Sequence, residues 1–485
     1  FGSRILRSED LVICAESEPR SLNPKIHESR AQIAKSPDRE IARSSYSERS
    51  HATARTSRYD RPVKSATAPS LSSLVREQIA KPSPIRQIMK MAERQNILAM
   101  GLDPAQVISF GGGWVNHEAP EGFRQAYRDV VSDAALFHKS GGYTATLGDM
   151  ECREQIARFE AHVFGVPRLG PEHIAIGMGS TQLTHDLFRT LLDPGDTVML
   201  LDPTYANYEG QLAFAASGIK VVRLRVLDPA TWSYLPETDP EGVAREFTRL
   251  FDQHRPKLVL FGAPDNPTSQ VVPQALAEVM LAKTAEAGSW LAIDFAYKCQ
   301  YFQAPPPYYA WSPADHPNVI GIHSNSKWAR GLGRRLGWLE APAPVIEAIE
   351  RVQQCSILCP DTLAQMAMAA YLKQAIPDGS LRQYIDDANV MYKNAAAVTL
   401  KAVDTHLQRP RLTPFGGLYT CVDIGTNAEA FVPKALQATG VLVVPGGGFG
   451  ASLTNGVRIS FGPLVRDTAK IEEGLERLGR WMRAQ

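Results

Sequence analysis

The chain carries almost no net charge: 52 lysines and arginines stand against 51 aspartates and glutamates over 485 residues. That balance removes any global electrostatic argument for binding nucleic acid or an acidic membrane surface. Cysteine is scarce, at six residues (14, 152, 299, 355, 359 and 421), with no CxxC pair and no zinc-type spacing. Cysteines scattered in this way are expected as free thiols in a reducing compartment, and no metal is expected. No apolar run approaches the roughly 20 residues of a membrane span. The expectation is a soluble, cytoplasmic protein.

Large aliphatic residues are almost missing from SYSERSHATARTSRYDRPVKSATAPSLSS (45–73). Such a stretch has too little apolar surface to offset its ordering entropy, so residues 1–75 are predicted as a flexible extension. It is rich in serine and arginine, as organellar transit peptides are. However, seven acidic residues among the first forty argue against that assignment. The stretch also lacks the helical periodicity of a DNA-binding module.

From about residue 85 the texture changes. PEGFRQAYRDVVSDAALF (120–137) and MECREQIARFEAHVF (150–164) carry apolar residues at three-to-four spacing and read as amphipathic helices. HIAIGM (173–178) precedes a helix from Thr181 to Leu192. TVMLLDP (197–203), KVVRLRV (220–226), KLVLFGAP (257–264), WLAIDFAY (290–297) and VIGIHSNS (319–326) read as strands, with a helical PQALAEVMLAKTAEAG (273–288) between two of them. This alternation predicts an α/β fold, a mostly parallel sheet covered by helices, with ligands beyond the carboxyl ends of its strands. After residue 345, helices at 361–377 and 380–402 precede short strands near 418–424, 441–445 and 457–462, and a last helix at 465–483. That is a smaller α+β domain, 346–485, beside a large one at 119–345.

Polar residues collect at the predicted strand ends. GMGSTQ (177–182) leaves a strand and opens a helix, where free N–H groups and the helix dipole suit a phosphate. DNPTS (265–269) puts Asn266 at another end. DFAY (294–297) places an acid three residues before a phenol. SNSKWARGLGRRLGW (324–338) puts Lys327 just past an apolar strand, where burial lowers an amine's pKa and makes it nucleophilic. Taken singly, each has a plainer reading: a strand–helix turn, an Asn-Pro turn, an aspartate capping the next helix, a solvated basic turn. Together they suit one ligand with a phosphate, a basic ring nitrogen, a ring oxygen and a carbonyl, as pyridoxal phosphate has.

The ordered series ISFGGGW, GGYTATLGDMECREQIA, GSTQLTHDLFRTLLDPGDTVMLLDPTY, DNPTS, DFAY, SNSKWARGLGRRLGW, PGGGFG and VRISFG resembles the class I/II aminotransferases. These are fold type I, aspartate-aminotransferase-like enzymes dependent on pyridoxal phosphate. The likeness runs from about 85 to 483. It includes the spacings Asn266 to Asp294 (28), Asp294 to Tyr297 (three) and Lys327 to Arg335 (eight).

The resemblance implies a Lys327 Schiff base that also moves the substrate proton, an Asp294 that keeps the ring nitrogen protonated, and Tyr297 and Asn266 on the ring oxygen. Gly179, Ser180, Thr181, Ser324 and Arg335 would grip the phosphate, and Tyr205 would stack on the ring. Arg458 would take the substrate α-carboxylate in a two-pronged pairing that lysine could not supply. Asn266, Gly113 and Trp114 would complete the substrate site, with residues 76–118 as an arm joining the small domain. Tyr143 would reach the phosphate of a neighbouring subunit in a homodimer.

Arg330 and Arg334 gain no role and are expected to face solvent or that partner. The segment GGGWVNHE (111–118) is expected to close over the substrate, with Asn116 and His117 near the pocket, although His117 also reads as a surface loop residue. Trp328 is expected to narrow the site. The familiar NPTG is NPTS here, which reads as a mild change at the start of a turn. The expected reaction moves an amino group between an α-amino acid and a 2-oxo acid. Elimination, decarboxylation, cyclisation and oxidation on the same scaffold are the alternative.

Overall fold

A computed structural model describes residues 70–81 and 84–485. A short helix, Ser73–Ile79, lies at the start of the described chain, and Gln78–Gln485 form one compact unit. The expected extension, together with Cys14, falls almost wholly outside the described residues.

The main sheet contains seven strands: β2 (Ile174–Gly177), β3 (Thr197–Asp202), β4 (Lys220–Arg225), β5 (Leu258–Gly262), β6 (Trp290–Asp294), β7 (Val319–Ser324) and β8 (Gly337–Glu340), with β1 (Ile108–Ser109) lying elsewhere. Their spatial order is β2-β8-β7-β6-β5-β3-β4. All neighbours run parallel except β8, which lies antiparallel between β2 and β7. The inner strands are unbroken apolar runs such as LVLFG, buried at every position, which is what a sheet covered on both faces requires. Strand β8 was not expected. The glycine-and-arginine stretch stops being a turn at Gly337, and Trp338 and Leu339 pack fully inside.

From Glu121 on, the α-helices of more than one turn are α1 (Glu121–Ser132), α2 (Ala134–Ser140), α3 (Met150–Phe164), α4 (Ser180–Leu191), α5 (Asn207–Ala215), α6 (Pro240–His254), α7 (Gln274–Glu286), α8 (Ala343–Ser356), α9 (Thr362–Ala375), α10 (Ser380–Ala402), α11 (Ala428–Thr439) and α12 (Thr468–Arg483). The single helix expected at 120–137 is two. Asp133 adopts an extended conformation, and its carboxylate accepts the N–H groups of Ala135 and Leu136, ending one helix and capping the next. Asp294 does not cap a helix, because an irregular turn follows it.

Towards the C-terminus, β9 (Tyr419–Asp423), β12 (Gly456–Ser460) and β11 (Val444–Pro445) form a small antiparallel sheet, while β10 (Val441–Leu442) pairs in parallel with β1. Residues 108–109 are thereby tied to the C-terminal elements. Among the described residues no helix is long and apolar enough to cross a membrane.

Candidate active site

Strands β5, β6 and β7 deliver their carboxyl ends to one cavity, with α4 and the 111–113 segment closing its sides. Its wall contains Ser180, Thr181, Tyr205, Asn266, Asp294 and Tyr297 together with Ser324, Lys327, Arg335, Arg458 and Gly113. Residues scattered over almost 350 positions of sequence thus meet in one place.

At one end the helix α4 begins. Gly179 is its N-cap, with φ +84, and a Cβ there would lie 2.8 Å from Nη2 of Arg335. The guanidinium therefore lies across the helix start, beside a left-handed backbone position that favours glycine. Arg335 itself holds left-handed backbone, φ +50, and donates from Nη1 to the Leu332 carbonyl at 2.8 Å. Ser324 and Ser326 stand beside it, their hydroxyls 2.7 Å apart. A cation, free helix N–H groups and several hydroxyls make a built anion cradle.

Lys327 occupies the middle. Burial lowers its amine pKa from 10.5 to about 8, and the charges of Arg458 and Arg335 push the same way, against Asp294. Its Nζ donates to the Gly113 carbonyl and lies 5.4 Å from the Tyr297 ring centroid. Asp294, at the end of β6, accepts from the Tyr208 hydroxyl at 2.7 Å and from the Ala296 N–H at 2.9 Å. Burial raises its pKa, while those two bonds and the charges of His323 and Lys327 restrain the rise. Asp265 shares the wall, and burial lifts it to about 7 despite the Thr204 hydroxyl at 2.7 Å.

Arg458 takes the far side, on β12. Its Nη1 donates to Asn266 Oδ1 and its Nη2 to the Gly111 carbonyl, both at 2.9 Å. Its Nε is buried without a partner, while the side chain as a whole lines the cavity. Three cations and two acids around one cavity suit a ligand carrying two anionic groups with a reactive carbon between them.

Other expected positions differ. Trp114 does not line the cavity; its ring folds back over Gly112, where a Cβ would meet Nε1 at 2.2 Å. Trp328 does not narrow the site either. It is buried and stacked on Phe159, with centroids 5.1 Å apart. His117 is no surface residue: it is buried, with Nδ1 2.7 Å from the Tyr392 hydroxyl and Nε2 2.9 Å from the Trp328 carbonyl. Burial lowers its pKa. Arg330, half-buried, donates to the His117 carbonyl at 3.1 Å, so this segment is pinned to the turn that carries Lys327. Arg334 is exposed and lies over the Phe123 and Tyr127 rings. Tyr143 is 85 % exposed and contributes nothing to the cavity of its own chain.

Sequence reasoning passed over Tyr208, Asp265 and Tyr419, all on the cavity wall. Tyr208 stands three residues after Tyr205 at the start of α5, so a tyrosine pair at helical spacing was its available signal. Also missed was a buried cluster made by Glu160, Lys298, His323 and Glu340. Lys298 Nζ is 2.6 Å from Glu160, and His323 lies 3.3 Å from a carboxylate oxygen of each glutamate. Ligand-type atoms of Glu160, His323 and Glu340 fall within 4.8 Å of one another, but the Lys298 ammonium already supplies the cation there. The five described cysteines are free.

Comparison with known proteins agrees with this arrangement. Residues 105–478 match the family "Aminotransferase class I and II". The aspartate/prephenate aminotransferase of Thermus thermophilus is 26% identical over 407 residues, covering 84% of this chain and 97% of that protein. The valine–pyruvate aminotransferase of Mycobacterium tuberculosis is 28% identical over 389 residues, covering 78% and 92%. Among solved structures, a single mutant of Thermus thermophilus aspartate aminotransferase superposes with a TM-score of 0.72 at 26% identity, over 85% of this chain and 99% of that one. These relatives are all aminotransferases by name, so the elimination, decarboxylation, cyclisation and oxidation alternatives are not favoured. The chain belongs to the class I and II aminotransferases, transferases of the aspartate-aminotransferase fold that depend on pyridoxal phosphate.

Proposed function

We propose that the cavity holds pyridoxal phosphate through the residues named above and passes an amino group from an α-amino acid to a 2-oxo acid. The observation that carries this reading is the placing of Lys327, with its amine lowered to about 8, on a wall it shares with the Arg335 cradle and with Arg458. The cofactor supplies an aldehyde carbon for Lys327 and a ring that accepts electrons.

The chain does the rest. Ser180, Thr181, Ser324 and Arg335, with Gly179 giving clearance, bind the phosphate. Asp294 holds a proton at the ring nitrogen, and the Tyr208 hydroxyl orients its carboxylate. Tyr297 and Asn266 would hold the ring oxygen, and Tyr205, on the same wall, would pack against the ring. Once released by substrate, the Lys327 amine holds and returns the α-proton at Nζ, where its lowered pKa lets it act as a base near neutral pH. Arg458 would clamp the α-carboxylate through two of its N–H groups.

The substrates of the named relatives, aspartate, prephenate, valine and pyruvate, define the first panel to try. A second copy of the chain completes the unit in this reading. Exposed Tyr143 and the exposed apolar side chains of Val131, Leu136, Phe137 and Met150 near it in sequence support a covered face. The free cysteines support a reducing compartment such as the cytoplasm.

The test is an absorbance titration of purified protein loaded with pyridoxal phosphate. The visible band should bleach with one amino acid and return with a 2-oxo acid. Release of ammonia or carbon dioxide without bleaching would sink transamination.

A further inference from the structure

Ser269 stands where NPTS replaces the familiar NPTG, and it keeps the backbone a glycine would favour, with φ +56. A serine is strained there, so its side chain should have a task. Its hydroxyl oxygen accepts the Tyr419 N–H at 3.1 Å, and its carbonyl accepts the Phe415 N–H at 2.9 Å. Gly417, φ +68, comes so close that a Cβ on it would sit 2.8 Å from Ser269 Oγ. The serine thereby fixes the first residue of β9.

That residue is Tyr419, fully buried on the cavity wall. Its hydroxyl lies 2.6 Å from the hydroxyl of Tyr297, and the two rings meet edge to face with centroids 5.7 Å apart. The Arg458 guanidinium lies 4.4 Å from the Tyr419 ring centroid and 5.2 Å from that of Phe449. One side chain thus touches both the phenol assigned to the cofactor and the arginine assigned to the substrate.

We propose that Tyr419, anchored by Ser269, is a positioning residue for the transamination: its hydroxyl orients that of Tyr297, and its ring braces Arg458. The inference rests on the proposed roles of Tyr297 and Arg458. Burial raises the pKa of both phenols and the Arg458 charge restrains both. In the proposed arrangement the proton between the two hydroxyls, 2.6 Å apart, belongs to Tyr419. With Tyr419 donating, the Tyr297 proton is free to point into the cavity. A donor that is itself hydrogen-bonded is polarised and donates more strongly. Tyr419 therefore helps Tyr297 stabilise a negative ring oxygen, and the visible band of the bound cofactor titrates at a lower pH.

The test uses the holoenzyme and follows that titration in Tyr419→Phe beside Tyr297→Phe. The midpoint of Tyr419→Phe should move up by about half a unit to one unit, less than that of Tyr297→Phe, as the loss of one hydrogen bond predicts. Its KM for the amino acid should change less than about threefold, because the ring remains under Arg458. Tyr419→Leu removes the ring as well and should raise that KM about tenfold. Ser269→Gly leaves the tyrosine in place and frees its anchor, so a smaller upward shift is expected; it carries the test alone if the tyrosine variants do not fold. A wild-type midpoint in Tyr419→Phe, beside a shifted Tyr297→Phe, overturns the inference and leaves the proposed site standing. Failure of Tyr297→Phe to shift would overturn the role of Tyr297 beneath it.

Discussion

Two lysines lie near the ends of neighbouring strands, in opposite electrostatic settings. Lys298, four residues past the end of β6, is 3 % exposed and pairs with a fully buried Glu160 at 2.6 Å. It also lies over the Phe164 and Phe295 rings, at 4.3 and 4.5 Å from their centroids. Lys327, three residues past β7, has a carbonyl for its hydrogen bond, two arginines for company and an open cavity in front. Burial is common to both. What separates a structural lysine from a reactive one is the missing counter-charge and the room for a ligand. An amine that is desolvated but unpaired gives up its proton; one that is desolvated and paired holds the fold together.

The largest test of this contrast exchanges one charge at a time. Lys327→Met should abolish transamination, by about 10⁴-fold or more if the amine is both the attachment point and the base. Its melting temperature should be unchanged or higher, since removing an unpaired buried amine relieves a cost. Lys298→Met should do the reverse. It leaves Glu160 buried and uncompensated, a loss of about 3–5 kcal/mol in urea unfolding, while the activity of the folded fraction persists. The double variant Lys298→Met/Glu160→Leu should recover most of that stability. If Lys298→Met is as stable as the parent, the pair is not what holds that side of the sheet.

The same contrast shows how much was legible in the sequence. Lys327, Asp294 and Asn266 could be read because each follows a short apolar run, so strand and site are adjacent in the chain. The parallel sheet could be read for the same reason. His117 and Trp328 could not, because their surroundings are made by Tyr392 and Phe159, far away in sequence. Glu160, Lys298, His323 and Glu340 come from four separate stretches, and none has a local pattern that announces a buried cluster. Strand β8 was hidden because its glycine and arginine neighbours resemble a turn. Trp338 stacks on His323 at 5.1 Å and donates to Glu340 at 3.1 Å, a partnership visible only once the sheet is folded.

A smaller effect sharpens the contrast from the cavity side. With a pKa near 8, roughly one Lys327 amine in five is neutral at pH 7.4, against about one in a thousand for an ordinary lysine. The rate at which the cofactor-free protein takes up pyridoxal phosphate should therefore rise about tenfold per pH unit below about 8 and flatten above it. A rate still climbing at pH 10 would mean that Lys327 is an ordinary solvated amine. Asp294→Asn removes the one charge that opposes the shift and should move the break in the profile to lower pH.

The smallest effect is in the pH dependence of stability and comes from His323. Burial alone would lower its pKa, but Glu340 and Glu160 outweigh burial and raise it above 6.5. The folded state therefore binds a proton more tightly than the unfolded chain does. That stabilisation is complete below about pH 6.5 and is lost as pH rises through the folded value, at a limiting slope of about 1.4 kcal/mol per unit. Glu160 works in the opposite window. Lys298 and His323 overcome its burial and lower it to about 2, so its contribution is present above about pH 4.5 and lost on acidification towards 2. His323→Gln should be less stable than the parent at pH 6, yet its stability should fall less steeply from pH 7 upward. An unchanged alkaline slope would mean that His323 is neutral in the fold. The cluster would then carry a net negative charge, and the balance that sets Lys298 apart from Lys327 would be lost.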